Sequence, residues 1–210
     1  SGRGETFGRE HRMRLLDNKQ GGYRFLEGIA PYSSGVVAHE GNEIVHVTLM
    51  RGLPWEEGIV LARKYVEAQG LQRFALCGFE LRCPAPHAMD SFIGFNADYR
   101  RLLEAWDMMV DGENPVARTN VSPVVDPPAE TMLYAFSFVR PANHGFRTFV
   151  VAGGGELIGG LAVENIVCVG DTSDDAMVEK ARAVVGLMKE RMYGLGGGVE
   201  ILTTIGVYTA

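Results

Sequence analysis

Residues 114–140 read NPVARTNVSPVVDPPAETMLYAFSFVR, and the fold turns on how they are parsed. The stretch opens with a lone arginine, Arg118, in a polar loop. A hinge rich in proline (Pro123, Pro127, Pro128) follows. Thr131–Val139 then reads as a buried strand, with Leu133, Tyr134, Phe136 and Phe138 in quick succession. An arginine just ahead of a core strand is placed at the rim of whatever the fold encloses. Its guanidinium is permanently charged and can grip a carboxylate with two parallel hydrogen bonds. On the residues alone, an ordinary surface ion pair is the plainer reading of Arg118.

Upstream, a helix is predicted from Ser91 or Phe92 to Val110, capped by Asp90 or Ser91. Phe92, Phe95, Tyr99, Leu102, Leu103 and Trp106 form its apolar stripe, which reads as core packing. Before it, Phe74–Cys83 reads as a strand. Glu80 stands out there, because an acid inside an apolar strand is costly to bury unless paired, and burial raises its pKa. Either Glu80 is a tuned acid, or the strand has one wet face that Glu80 shares with Arg82. A first helix begins at Pro54, carries Glu56 and Glu57 in its first turn, and ends at Gly70. Gly58 inside it predicts close packing against a sheet. Three strands precede that helix: Tyr23–Leu26, one from Gly35 to Ala38, and Glu43–Met50. In the last, Ile44, His46, Thr48 and Met50 alternate with Val45, Val47 and Leu49. Pro31 fixes the turn that presents Tyr32, which reads as a half-buried turn aromatic unless it serves a site.

Downstream the pattern restarts. Pro141–Gly145 reads as a linker, Arg147–Ala152 and Ile166–Val169 as strands, Asp174–Tyr193 as a helix capped within Gly170–Ser173, and Glu200–Thr209 as a last strand. Gly153–Gly155 lies between two predicted strands, not at a helix start. Neither a Walker loop nor a dinucleotide fingerprint is met, and no cofactor is expected.

Composition narrows the function classes. The chain has 210 residues, is 46% hydrophobic and carries a formal net charge of −6. No apolar run is long enough to span a membrane. Charged residues form no basic track, which argues against a nucleic-acid partner. Residues 1–19 read as a mobile arm without the apolar core of a secretion signal. Cys77 and Cys83 lie roughly 20 Å apart along a straight strand and cannot bridge. Three cysteines without a Cys-x-x-Cys pair suggest reduced thiols and a cytoplasmic location. Five scattered histidines predict no metal site.

Three short segments carry a resemblance. Ile29-Ala30-Pro31-Tyr32-Ser33 resembles the opening Ile-x-Pro-Tyr of the YjgF/RidA family of enamine/imine deaminases. Phe92-x-x-Phe95-Asn96-x-x-Tyr99 resembles its second-helix motif, and Arg118-Thr119-Asn120-Val121 its Arg-x-x-Val. The resemblance covers about 120 residues and rests on the order and spacing of these motifs. It implies an α+β, chorismate-mutase-like fold, a sheet backed by two helices, usually trimeric with clefts between subunits. The family's arginine binds the substrate carboxylate, its Pro-Tyr tyrosine lines the cleft, and water attacks a C=N carbon to release ammonia.

The implied organisation is an arm at 1–19, a RidA-like domain at 20–142 and a C-terminal ββαβ half-repeat at 143–210. Arg118, Tyr32 and Glu80 are then the candidate catalytic residues. Arg118, Tyr32, Asn120 and Thr48 are the candidate substrate contacts. The departures are specific. Thr48-Leu49-Met50 stands where the family has Ser-Gly, and Asn120 stands where it has cysteine. No glutamate lies in Met132–Phe136, where the deaminases use one to position water, so Glu80 or Glu130 would have to substitute. The expected partners are a small carboxylate substrate and further copies of the chain, as a trimer or as a dimer whose half-repeats complete a third unit. A non-catalytic carboxylate-binding or assembly module is the alternative.

Overall fold

The computed structural model describes residues 13–86, 89–158 and 162–208, with the backbone alone for 89–91. The elements run β1 (Leu15–Asn18), β2 (Tyr23–Leu26), β3 (Gly35–Ala38), β4 (Asn42–Pro54), α1 (Trp55–Ala68), β5 (Leu76–Arg82), α2 (Met89–Glu104), β6 (Ala117–Val121), β7 (Met132–Pro141), β8 (Phe149–Val151) and α3 (Asp174–Gly194). They build two four-stranded sheets, ordered β1-β2-β3-β8 and β4-β7-β5-β6. All pairings are antiparallel except β5 with β6, which is parallel. The class is α+β, as expected.

The second sheet separates two environments, because side chains alternate along each strand. Phe79 and Leu81 of β5 and Leu133, Phe136 and Phe138 of β7 pack with Ile59, Ala62 and Val66 of α1 and Tyr99 and Leu103 of α2. Val45, Val47 and Leu49 join that core, as the alternation in β4 requires. On the other face, Cys77, Ala117 and Val139 meet Tyr23, Phe25 and Val36 of the first sheet. Tyr23 fastens the two sheets by donating its hydroxyl to the Leu76 carbonyl at 2.9 Å.

Several sequence expectations are corrected. The predicted mobile arm stops short of residue 19: β1 pairs with β2, and Asn18 is buried, accepting from the Gly21 amide at 3.0 Å. The rest of that arm, residues 1–12, lies outside the described residues. Arg118 lies on a strand, β6, and not in a loop. A 3-10 turn, Arg73–Ala75, replaces the start of the predicted strand at Phe74. The second helix ends at Glu104, six residues early, where the chain tightens into short turns and Asp107 takes a left-handed φ of 53°. The predicted cap at Asp90 or Ser91 falls among side chains outside the described residues.

The C-terminal ββαβ pattern does not form. Ile166–Val169 makes one isolated bridge, Leu157 to Ile166, and Cys168 and Gly170 turn the chain through positive φ. Beyond a turn at Val199–Ile201, residues 202–208 take no regular structure. Strand propensity needs a neighbour to take the backbone hydrogen bonds, and among the described residues these segments pair with neither sheet. β8 instead extends the first sheet through β3, and the end of α3 docks on it through Leu195, against Leu26 and Val37. Ser173 caps α3, accepting from the Ala176 amide, within the predicted cap.

Gly58 shows why α1 sits so close to the sheet. A Cβ there would lie 2.5 Å from the Leu133 Cβ. Gly58→Ala is expected to lower stability by about 1–3 kcal/mol through overpacking. Gly94→Ala, in α2 with nothing within 4 Å, is expected to be neutral or stabilising by up to about 1 kcal/mol. Urea denaturation of the two variants checks the contrast.

Candidate active site

β6 is an edge strand held parallel to β5, with Arg118 opposite Phe79 and Asn120 opposite Leu81. Phe79 and Leu81 face the helices, and Arg118 is directed under α2, which supplies Phe95, Asn96 and Tyr99. The guanidinium carbon lies 4.5 Å from the ring centre of Tyr99, 4.7 Å from that of Tyr32 and 5.2 Å from that of Phe95. Nη2 donates to the Asn96 Oδ1 at 2.5 Å. The aromatic faces attract the cation, and such contacts strengthen as water is removed.

Tyr32 reaches this position because its loop is tied to the segment leading into β6. Ser33 donates its amide to the Val116 carbonyl at 3.0 Å and its hydroxyl to the Pro115 carbonyl at 3.1 Å. Asn114 donates its side-chain amide to the Pro31 carbonyl at 2.7 Å. The residues that open the resemblance and those that close it are thus bonded to one another.

Arg118 is 2% exposed and forms no ion pair among the described residues. Burial lowers its pKa from the ordinary arginine value, the direction expected of a cation deprived of solvent. Its Nε and Nη1 have no hydrogen-bond partner. Both side-chain amide atoms of Asn120 and the Tyr99 hydroxyl are also buried without partners. Five of the eight such atoms among the described residues therefore belong to three neighbouring residues. Buried polar groups are nearly always bonded, so the concentration of orphans at one place, with both donors and an acceptor to spare, sets this spot apart from the rest of the interior. The surface ion pair is excluded as a reading of Arg118. The aromatic stripe of α2 is core and box wall at once.

Cys83 also adjoins Arg118. Burial raises its thiol pKa, outweighing the pull of the Arg118 charge, so it stays neutral and unreactive. Burial likewise raises the Tyr99 phenol pKa. A small cavity of about 40 Å³, whose lining includes Glu80, Arg118, Thr119, Ser137 and Ala152, adjoins β6. It has room for water but not for a substrate-sized ligand.

The remaining candidates are placed elsewhere. Glu80 lies on the sheet face opposite Phe79 and Leu81, 3.6 Å from the His46 Nε2 and 3.7 Å from the Arg82 Nη2. The wet-face reading of Glu80 is the one realised. Thr48 is exposed on that same face, beside Met50. Glu130 is exposed in the loop before β7. Within one chain, then, Arg118, Tyr32 and Asn120 come together, and Glu80 and Thr48 do not join them.

Sequence reading missed Arg191 of α3. Its Nη1 donates to the carbonyls of Ala152 at 2.8 Å and Gly153 at 3.1 Å, while its Nε is buried without a partner. The signal was present: Arg191 follows Val184 and Met188 at helical spacing, a charge on the predicted apolar stripe.

A buried pair broken by truncation loses stability, whereas an uncompensated buried charge gains it when replaced by an apolar residue of similar size. Arg118→Met is therefore expected to raise folding stability by about 1–4 kcal/mol while abolishing carboxylate binding. Urea midpoints with and without ligand read both effects. A loss of stability would instead mark Arg118 as a structural residue.

Comparison with known proteins gives a consistent picture. The model of a family described as "2-aminomuconate deaminase CnbZ" matches residues 15–210. A 2-amino-5-chloromuconate deaminase of Comamonas testosteroni is 37% identical over 193 residues, covering 90% of this chain and 77% of that relative. No solved structure matches the chain.

Proposed function

The chain belongs to the 2-aminomuconate deaminase CnbZ family, and from that premise we propose that it hydrolyses the amino group of a 2-aminomuconate-type substrate, releasing ammonia. The family lies within the YjgF/RidA-like deaminase superfamily, the group that the short motifs resemble. The observation that carries the proposal is Arg118: a buried guanidinium with two unpartnered nitrogens, walled by three aromatic rings.

A 2-aminomuconate is a planar conjugated chain with an amino group beside a carboxylate. Its carboxylate fits the free donors of Arg118, and its flat chain fits the aromatic walls. Asn120 offers a buried donor and a buried acceptor at the same place. With the carboxylate held, the amino-bearing carbon is fixed beside Tyr32. Protonation of the neighbouring carbon turns the enamine into an iminium. Water adds to the C=N carbon, its oxygen becomes the ketone oxygen, and the C–N bond breaks as protonated nitrogen leaves as ammonia. The electron-poor surroundings of a buried guanidinium favour that addition. Tyr32, half-buried beside Arg118, is suited to pass protons between water and the leaving nitrogen.

No carboxylic acid is assigned a role within a single chain. A part for Glu80 or Thr48 requires a second copy whose Arg118 site meets the exposed face of β4 and β5. Met50, fully exposed on that face beside Thr48, supports self-association. We expect a homo-oligomer, and light scattering at micromolar concentration checks it, a monomer mass removing this part of the proposal.

Ammonia release from 2-aminomuconate, followed by a coupled dehydrogenase assay, tests the reaction. Removing one partner of a buried, hydrogen-bonded charge costs about 3 kcal/mol, so Arg118→Ala is expected to lower kcat/KM on the order of 100-fold. Wild-type turnover by that variant would overturn the assignment. Binding of the substrate without ammonia release would leave only a non-catalytic binding module.

A further inference from the structure

Resting on the reading of Arg118 as one carboxylate anchor, we propose that Arg191 is a second carboxylate-binding residue of the same site and gives it a preference for dicarboxylates over monocarboxylates. Four segments far apart in the chain converge to put Arg191 there. Its Nη1 is bonded to the carbonyls of Ala152 and Gly153. The Ala152 amide donates to the Ser34 carbonyl at 3.1 Å, two residues from Tyr32. The Gly153 amide donates to the Thr119 hydroxyl at 2.8 Å, on the strand that carries Arg118. The Tyr32 ring centre lies 4.7 Å from the Arg118 guanidinium, and the phenol is within electrostatic range of Arg191 as well. Tyr32 is thus the shared neighbour of a buried cation, Arg118, and a half-buried one, Arg191.

The donors that remain on Arg191 decide what it can take. A guanidinium carries five N–H donors in a rigid fork. The carbonyls of Ala152 and Gly153 occupy Nη1 alone. The Nε–H, which has no partner, and the Nη2–H beside it point the same way and form the edge that grips a carboxylate with two parallel bonds. The bonds that staple α3 to the loop after β8 leave the buried Nε unsatisfied, a donor to spare for a ligand. Tyr32, between the two anchors in this scheme, would lie along the conjugated chain that joins the two acid groups.

Binding of two unreactive ligands to the full chain tests this, muconate as the dicarboxylate and sorbate as the six-carbon dienoic monocarboxylate. The wild type is expected to hold muconate more tightly than sorbate, by about tenfold or more in Kd. Arg191→Gln is expected to reduce that ratio to near one, while Arg118→Gln weakens both ligands together. Arg191→Lys keeps the charge but loses the fork, and its ratio is expected to fall several-fold. An unchanged ratio in Arg191→Gln, or in Arg191→Lys if the glutamine variant does not fold, would overturn the proposal. So would a wild type that binds the two acids equally. The readout involves no turnover, so absence of ammonia release leaves this inference standing, and loss of this inference leaves the deaminase assignment standing.

Discussion

A guanidinium shut away from water without a carboxylate is among the most expensive arrangements a protein interior can contain. Arg118 is held in that state by everything around it. The parallel pairing of β6 with β5 fixes where its backbone runs, and α2 closes over it with Phe95, Asn96 and Tyr99. The Tyr32 loop completes the box through three hydrogen bonds between Pro31 and Ser33 on one side and residues 114, 115 and 116 on the other. The hydrophobic core between α1, α2 and the second sheet supplies the stability from which this cost is drawn. Under the proposed function, the charge is kept unpaired in the free protein, and an incoming carboxylate would meet a cation already stripped of competing partners.

The second sheet also divides the ionisable residues into two groups with different fates. On the helix side stands Arg118, dry and unpaired. On the other stand His46, Glu80 and Arg82, partly hydrated and paired with one another. Arg82 is further covered by the rings of Tyr134 and Tyr208. One residue of displacement along β5 exchanges these environments, because side chains alternate in direction. That is the reason an acid next to a core phenylalanine, Glu80 beside Phe79, can be close in sequence and yet lie apart from Arg118 within one chain.

How far the residues alone could lead varied with how local the cause was. α1 was readable from Pro54, the acidic first turn and Gly70, all of which act within a few residues. The two faces of β4 followed from simple alternation. β6 was not recognisable as a strand. Ala-Arg-Thr-Asn-Val has little strand propensity and is held only by its pairing with β5. The two C-terminal strands failed for the converse reason, since Ile166–Val169 and residues 200–208 have the composition of strands but are paired into neither sheet. Arg118, Tyr32 and Asn120 emerged through their motifs. Arg191 did not, because nothing in a helical stripe says which loop will lie across it.

The clamp of Arg191 on the carbonyls of residues 152 and 153 bears on the order in which the molecule comes into being. Chains are made from the N-terminus, and contacts between distant segments form late. The sheets, α1 and α2 can be laid down while α3 is still being synthesised. The bonds of Arg191 to the loop after β8 cannot form until α3 has arrived. A nascent chain, or one clipped before α3, would therefore carry Arg118 in its aromatic box yet lack the clamp that fixes residues 152 and 153 beside it.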